Sequence, residues 1–196
     1  VDMQNDFMPG GALAVEKGDA FLDEVNQLMA LFKKYDFPIV FTQDWHPLGH
    51  SSFASQHEGK APFETVEMPY GTQVLWPDHC VQGSDGADFH EDLHVETADV
   101  ILRKGFRPEI DSYSAFFEND QATPTGLEGY LRTRGVTHVT LAGLATDFCV
   151  AWSALDAARL GFAVTVKLSA CRAIDLDGSL DAALEKMRAA GIELTA

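Results

Sequence analysis

The second half of the chain alternates short apolar runs with amphipathic stretches, and glycines mark the changes of period. Residues 137–142 read as a strand and 146–160 as a helix stopped by Gly161. Residues 162–168 read as a strand and 179–190 as a helix, and Gly191 leads into a last strand, IELT. Parallel strands cannot be joined by a hairpin and need a long crossover, usually a helix. The alternation therefore predicts a mostly parallel sheet covered by helices on both faces, a three-layer α/β fold of Rossmann-like kind. The first half adds to it. Residues 38–43 and 99–103 read as strands, and Val1 and Asp2 close a further one. Residues 18–35 have helical period, with Phe21, Val25, Leu28, Leu31 and Phe32 on one face. Residues 127–133 form a helix with Gly135 just beyond its end. No repeat or linker divides residues 1–196, which are read as one domain.

Charge excludes some functions. A formal net charge of −16 repels nucleic acid and anionic membrane surfaces, so neither is an expected partner. Three scattered cysteines, Cys80, Cys149 and Cys171, make no disulfide framework and suit a reducing compartment such as the cytoplasm. No apolar run is long enough to span a bilayer, and no stretch reads as a signal peptide.

In parallel α/β folds ligands bind beyond the carboxyl ends of the strands. The sequence puts Asp2, Asp44, Lys104 and Cys149 at or just past four such ends. Each alone has a bland reading: a solvated terminal residue, a turn opener, a surface ammonium, a small buried apolar side chain. Their common edge favours chemistry. Cys149 falls in the first turn of a predicted helix with Thr146 as its N-cap, where free N–H groups and the dipole favour a thiolate. The same N–H groups suit an oxyanion formed by attack on a carbonyl. A carboxylate such as Asp2 can take the thiol proton and return it to a leaving amine, and Lys104 can balance the charge.

Residues 44–98 break the rhythm with a long segment rich in His, Pro, Gly and Trp. Loops of this length in a compact domain are commonly functional, and the aromatic content of this one argues against disorder. DWHPLGH holds Asp44-x-His46, which an extended backbone points to one side, and WPDHC supplies His79. One carboxylate and two imidazoles can bind a divalent transition ion with positions left open. Asp-x-His is weak evidence by itself. His50, His57, His90, His94 and His138 are read as surface or structural.

Taken together, VDMQNDFMPGGALAV (1–15), FTQDWHPLGHSSFA (41–54), LWPDHCVQG (75–83), RKGFRPEIDSYSAF (103–116), LAGLATDFCVAWSALDA (141–157) and ACRAIDLDGS (170–179) resemble the nicotinamidase branch of the isochorismatase-like cysteine hydrolases. The segments follow in order over nearly the whole chain, and their combination is specific although no single piece is. The resemblance implies a catalytic triad of Asp2, Lys104 and Cys149, and metal ligands Asp44, His46 and His79. It places Phe7, Trp76 and Tyr113 around a pyridine ring. It puts an oxyanion hole at the backbone of Ala145 and Cys149, with a cis peptide between Leu144 and Ala145. It also implies hydrolysis of nicotinamide to nicotinate and ammonia through a cysteine thioester, with pyrazinamide as a further substrate.

The implied cofactor is one divalent transition metal ion; zinc, iron and manganese all accept this ligand set. Its implied task is to hold the ring nitrogen. Relatives acting on isochorismate or carbamoyl amides generally lack the metal triad. A homo-oligomer stays compatible with the sequence. The rival readings are another amide hydrolase of the same family, a metallohydrolase using metal-bound water with Cys149 structural, and a non-catalytic binding domain.

Overall fold

A computed structural model describes all residues 1–196. Strands β1 (Val40–Asp44) and β4 (Val100–Lys104) pair in parallel, with Asp44 opposite Lys104 at their carboxyl ends. Strands β5 (His138–Leu144), β6 (Ala163–Arg172) and β7 (Glu193–Thr195) form a second parallel set in the order 5-6-7. Val1 and Asp2 join the two sets. The Leu144 N–H donates to the Val1 carbonyl at 3.0 Å, and the Asp2 N–H donates to the Thr42 carbonyl at 3.3 Å. The pair was expected to end a regular strand. It instead forms a short tie, with Asp2 left-handed at φ 46°. The tie brings the ends of β1, β4 and β5 to one edge.

Helices α1 (Leu22–Lys34), α2 (Leu127–Thr133), α3 (Ala151–Arg159) and α4 (Ser179–Ala189) cover the strands. Two apolar clusters result: one takes α1 with Phe41 and Leu144, the other takes α2, α3 and α4 with Val164 and Val166. Helix α1 starts four residues later than its apolar period suggests, because Lys17 is left-handed at φ 55° and the following residues turn. Its buried face is Leu22, Val25 and Met29, while Leu31 is exposed. Each buried side chain contributes roughly 1.5–3 kcal/mol relative to exposure. Asp23 and Glu24 at its start and Lys33 and Lys34 at its end complement the helix dipole.

Strand β6 runs on to Arg172, beyond the 162–168 read from sequence, because β5 continues beside it past an irregularity between Leu141 and Gly143. Gly143 has φ 121°, and a Cβ there would lie 2.1 Å from the Val1 carbonyl oxygen, so this crossing needs glycine. The segment 44–98 is not one open loop. It contains an antiparallel hairpin, β2 (Thr65–Met68) with β3 (Gly71–Val74), and several short turns of 3₁₀ helix. A mainly apolar cleft of about 840 Å³ lies between β1 and β5. The polar groups converge elsewhere, at the carboxyl edge of the strands. No helix is long and apolar enough to cross a membrane.

Candidate active site and metal centre

Register explains the first pair of charges. Asp44 and Lys104 end paired parallel strands, and the Lys104 ammonium bonds to Asp44 Oδ1. It also lies 2.8 Å from Asp2 Oδ2, 3.0 Å from the Ser112 carbonyl and 3.4 Å from Cys149 Sγ. Lys104 is fully buried, and Asp2, Asp44 and Cys149 are nearly so. Thr42 Oγ1 donates to Asp2 Oδ1 at 2.6 Å, which holds the carboxylate toward the thiol. The acceptor atoms of Asp2 and Asp44 and the Cys149 sulfur all lie within 4.8 Å of one another.

Two carboxylates outweigh burial at Lys104 and keep its pKa well above the usual lysine value. Burial pushes the Cys149 thiol well above its usual range; Lys104 opposes this and the carboxylates reinforce it. The helix start therefore does not by itself produce a thiolate, and a base must take the proton. Burial likewise raises Asp44 to about 6, with Lys104 pulling the other way.

Cys149 sits on a wider turn than a regular helix start. Over Thr146–Val150 the bonds run five residues back, with Val150 N–H donating to the Ala145 carbonyl at 3.1 Å and Ala151 N–H to that of Thr146. Single π turns of this kind are frequent at functional sites. Thr146 is not the N-cap: Ala145 holds that position in extended backbone, and no side chain caps the turn. The peptide Leu144–Ala145 is cis. The Ala145 N–H finds no protein acceptor, which leaves it free to meet an oxyanion.

The second cluster lies beside the first. Donor atoms of Asp44, His46 and His79 lie within 4.8 Å of one another, all buried. His79 Nδ1 is 2.8 Å from the Pro77 carbonyl, so it carries the proton and Nε2 turns a lone pair toward Asp44 Oδ2, 3.9 Å away. Burial, with His46 beside it, lowers the His79 pKa to about 3, so the ring is neutral at ordinary pH. His46 Nε2 is 3.1 Å from Asp111 Oδ1, while its Nδ1 is buried with no partner. Two imidazole lone pairs and a carboxylate without enough donors between them are an arrangement that a divalent cation satisfies. The donor set fits such an ion.

Phe7, Trp76 and Tyr113 line one small cavity together with Cys149, Asp44, His46 and His79. Phe7 packs 5.6 Å from the His79 ring. Trp76 Nε1 donates to the Tyr113 hydroxyl at 3.0 Å, which fixes that wall. Sequence reasoning missed Phe148, whose ring lies 4.9 Å from Trp76, and the lining residues Leu13 and Ile174. It also missed Asp111. His50 is fully buried between the Ser52 hydroxyl and the Ile110 carbonyl, and a ring nitrogen of it lies within 4.8 Å of donor atoms of His46 and Asp111. His57 bonds the Ser51 carbonyl, and His138 is exposed.

This convergence of a thiol, a carboxylate, an ammonium and three metal-type donors defines a class that comparison with known proteins names. The isochorismatase domain matches residues 1–196, and the chain belongs to that family. The nicotinamidase of Acinetobacter baylyi is 53% identical over 193 residues, 98% of this chain and 88% of that protein. The solved structure of a nicotinamidase and pyrazinamidase of Acinetobacter baumanii superposes with a TM-score of 0.96 at 53% identity, covering 99% of this chain and 92% of that one. The pyrazinamidase of Pyrococcus horikoshii, solved in complex with zinc, has a TM-score of 0.79 at 39% identity, covering 99% and 94%.

Proposed function

We propose that residues 1–196 form one catalytic domain that hydrolyses nicotinamide to nicotinate and ammonia, and pyrazinamide likewise. The observation that carries this reading is the placement of Cys149 Sγ 3.4 Å from Lys104 Nζ, which is itself 2.8 Å from Asp2, beside the Asp44, His46 and His79 donors. In this reading Asp2 takes the Cys149 proton, and the sulfur attacks the carboxamide carbon. Charge on the oxygen meets the Ala145 and Cys149 N–H groups. Ammonia leaves with a proton returned by Asp2. Asp2 then draws a proton from water, which cleaves the thioester and frees nicotinate. Lys104 faces the Asp2 carboxylate at 2.8 Å and stays charged throughout.

Asp44, His46 and His79 would hold a divalent metal, zinc by analogy with the Pyrococcus relative. When bound, it supplies an open position for the ring nitrogen and so orients the carboxamide. Phe7, Trp76 and Tyr113 bound the ring. A metallohydrolase with a structural Cys149 fits less well, since the thiol lies within reach of both Asp2 and Lys104. Ammonia release from nicotinamide, with and without a chelator, tests the proposal. Release that falls on chelation and returns with zinc supports it. No release from the metal-loaded protein would end it.

A further inference from the structure

We infer that Asp111 is a positioning residue of the metal site: it fixes the His46 ring and the nitrogen that ring presents. The inference rests on the reading of Asp44, His46 and His79 as metal ligands and adds a residue to it. Asp111 Oδ1 lies 3.1 Å from His46 Nε2 and accepts the Ser112 N–H at 2.8 Å. Its Oδ2 accepts from Gln73 Nε2 at 3.1 Å. A carboxylate held at both oxygens cannot swing away from its partner. It accepts only, so His46 Nε2 must carry a proton, and Nδ1 is the nitrogen left to offer a lone pair to an ion. That Nδ1 is the buried nitrogen with no partner.

The ring has no freedom to reverse this choice. His50 packs 4.6 Å and Phe53 5.4 Å from it, centroid to centroid. A Cβ at Gly105, which has φ 67°, would lie 2.7 Å from His46 Nε2, so backbone closes that side. The two ligand histidines differ in their outer contacts. His79 donates to a neutral carbonyl, the one at Pro77, whereas His46 donates to a carboxylate. A carboxylate partner makes an imidazole a stronger ligand, and losing such a partner typically weakens metal binding roughly 10- to 100-fold. Gln73 extends the contact, since its Nε2 is also 2.8 Å from the Tyr113 hydroxyl. The ligand His46 and the ring wall thus share one support.

The test uses metal-stripped full-length protein and its Asp111→Asn, Asp111→Ala and Asp111→Glu variants. Zinc affinity is measured by competition with a chromophoric chelator, and the visible spectrum of the cobalt-loaded protein reports the ligand field. Asp111→Ala should lose roughly 10- to 100-fold in zinc affinity. Asp111→Asn, which keeps an acceptor but no charge, should lose less and still shift the cobalt bands. Asp111→Glu should recover part of the affinity. A thermal melt of each metal-free variant separates loss of fold from loss of ligand strength, and Asp111→Asn decides if Asp111→Ala does not fold. Folded variants with wild-type zinc affinity and an unchanged cobalt spectrum would overturn the role of Asp111 alone. Wild-type protein that takes up neither metal would overturn the metal-site reading, and this inference with it.

Discussion

Lys104→Met removes one buried ammonium and keeps the unbranched stem of the side chain. In the folded protein that ammonium faces Asp2 Oδ2 at 2.8 Å and Asp44 Oδ1, and Asp2 Oδ2 has no hydrogen-bond donor to replace it. The variant would leave two carboxylates in a space closed to water. Removing one partner of a buried ion pair costs about 3–5 kcal/mol. For a chain of this size, that lowers Tm by roughly 6–20 °C, at about 2–4 °C per kcal/mol. The sign with pH follows from the carboxylates. Burial already raises Asp44 to about 6 with Lys104 present, and the variant loses the cation that opposes this rise. Unfolded, an Asp titrates near ~3.9. A folded pKa above the unfolded one means that stability is present at low pH and lost as pH rises. Below pH 6 Asp44 is protonated in both folded proteins, so the deficit it adds to the variant should be small there and grow as pH rises above 6. Urea unfolding of metal-stripped wild type and variant at a series of pH values measures it; a bound cation would replace the lost charge, so metal must be absent. A deficit independent of pH, or one under about 1 kcal/mol at pH 8, would refute the reasoning.

Cys149→Ala should abolish turnover, a loss of many powers of ten, while the metal site stays loaded; steady-state ammonia release and metal analysis on one preparation check both. His79→Ala should lose bound metal, yet an alkylating agent should label Cys149 at a rate close to wild type. Full metal stoichiometry in that variant would remove His79 from the ligand set. Benzamide, which lacks the ring nitrogen, should have a kcat/KM lower than nicotinamide by up to about 10⁴, because it leaves a polar position unmatched. Pyrazinamide should be hydrolysed, and equal kcat/KM for benzamide and nicotinamide would remove the metal from substrate binding.

Much of this fold is visible in the sequence because helix and strand periods alternate cleanly after residue 126. Helix α2 falls at Leu127–Thr133, the range its pattern predicts. The hairpin β2–β3 was hidden because its strands are four residues each and mostly solvent-facing, so the polar-apolar alternation of Thr65–Met68 is too short to stand out and Gly71–Val74 has none. The Pro69–Tyr70 turn followed by Gly71, at φ 121°, was its signal. The start of α1 was misplaced because apolar period says nothing of the left-handed turn at Lys17. At the site, Asp2, Asp44, Lys104 and Cys149 were legible as residues that end strands or follow them. Asp111 was not: it is 65 residues from His46, on a loop whose course no local pattern sets. Nor does sequence disclose that Cys149 lies on a π turn, where burial raises the thiol.

The central claim is that Cys149 carries the acyl group of the substrate. Rapid acid quench during turnover of nicotinamide, followed by intact-protein mass measurement and peptide mapping, tests it most directly. The account predicts a population heavier by one nicotinoyl group, with the added mass on the peptide that holds Cys149 and absent from Cys149→Ala. Nicotinate formed in a single turnover at full rate by Cys149→Ala, with no adduct on any residue, would contradict it.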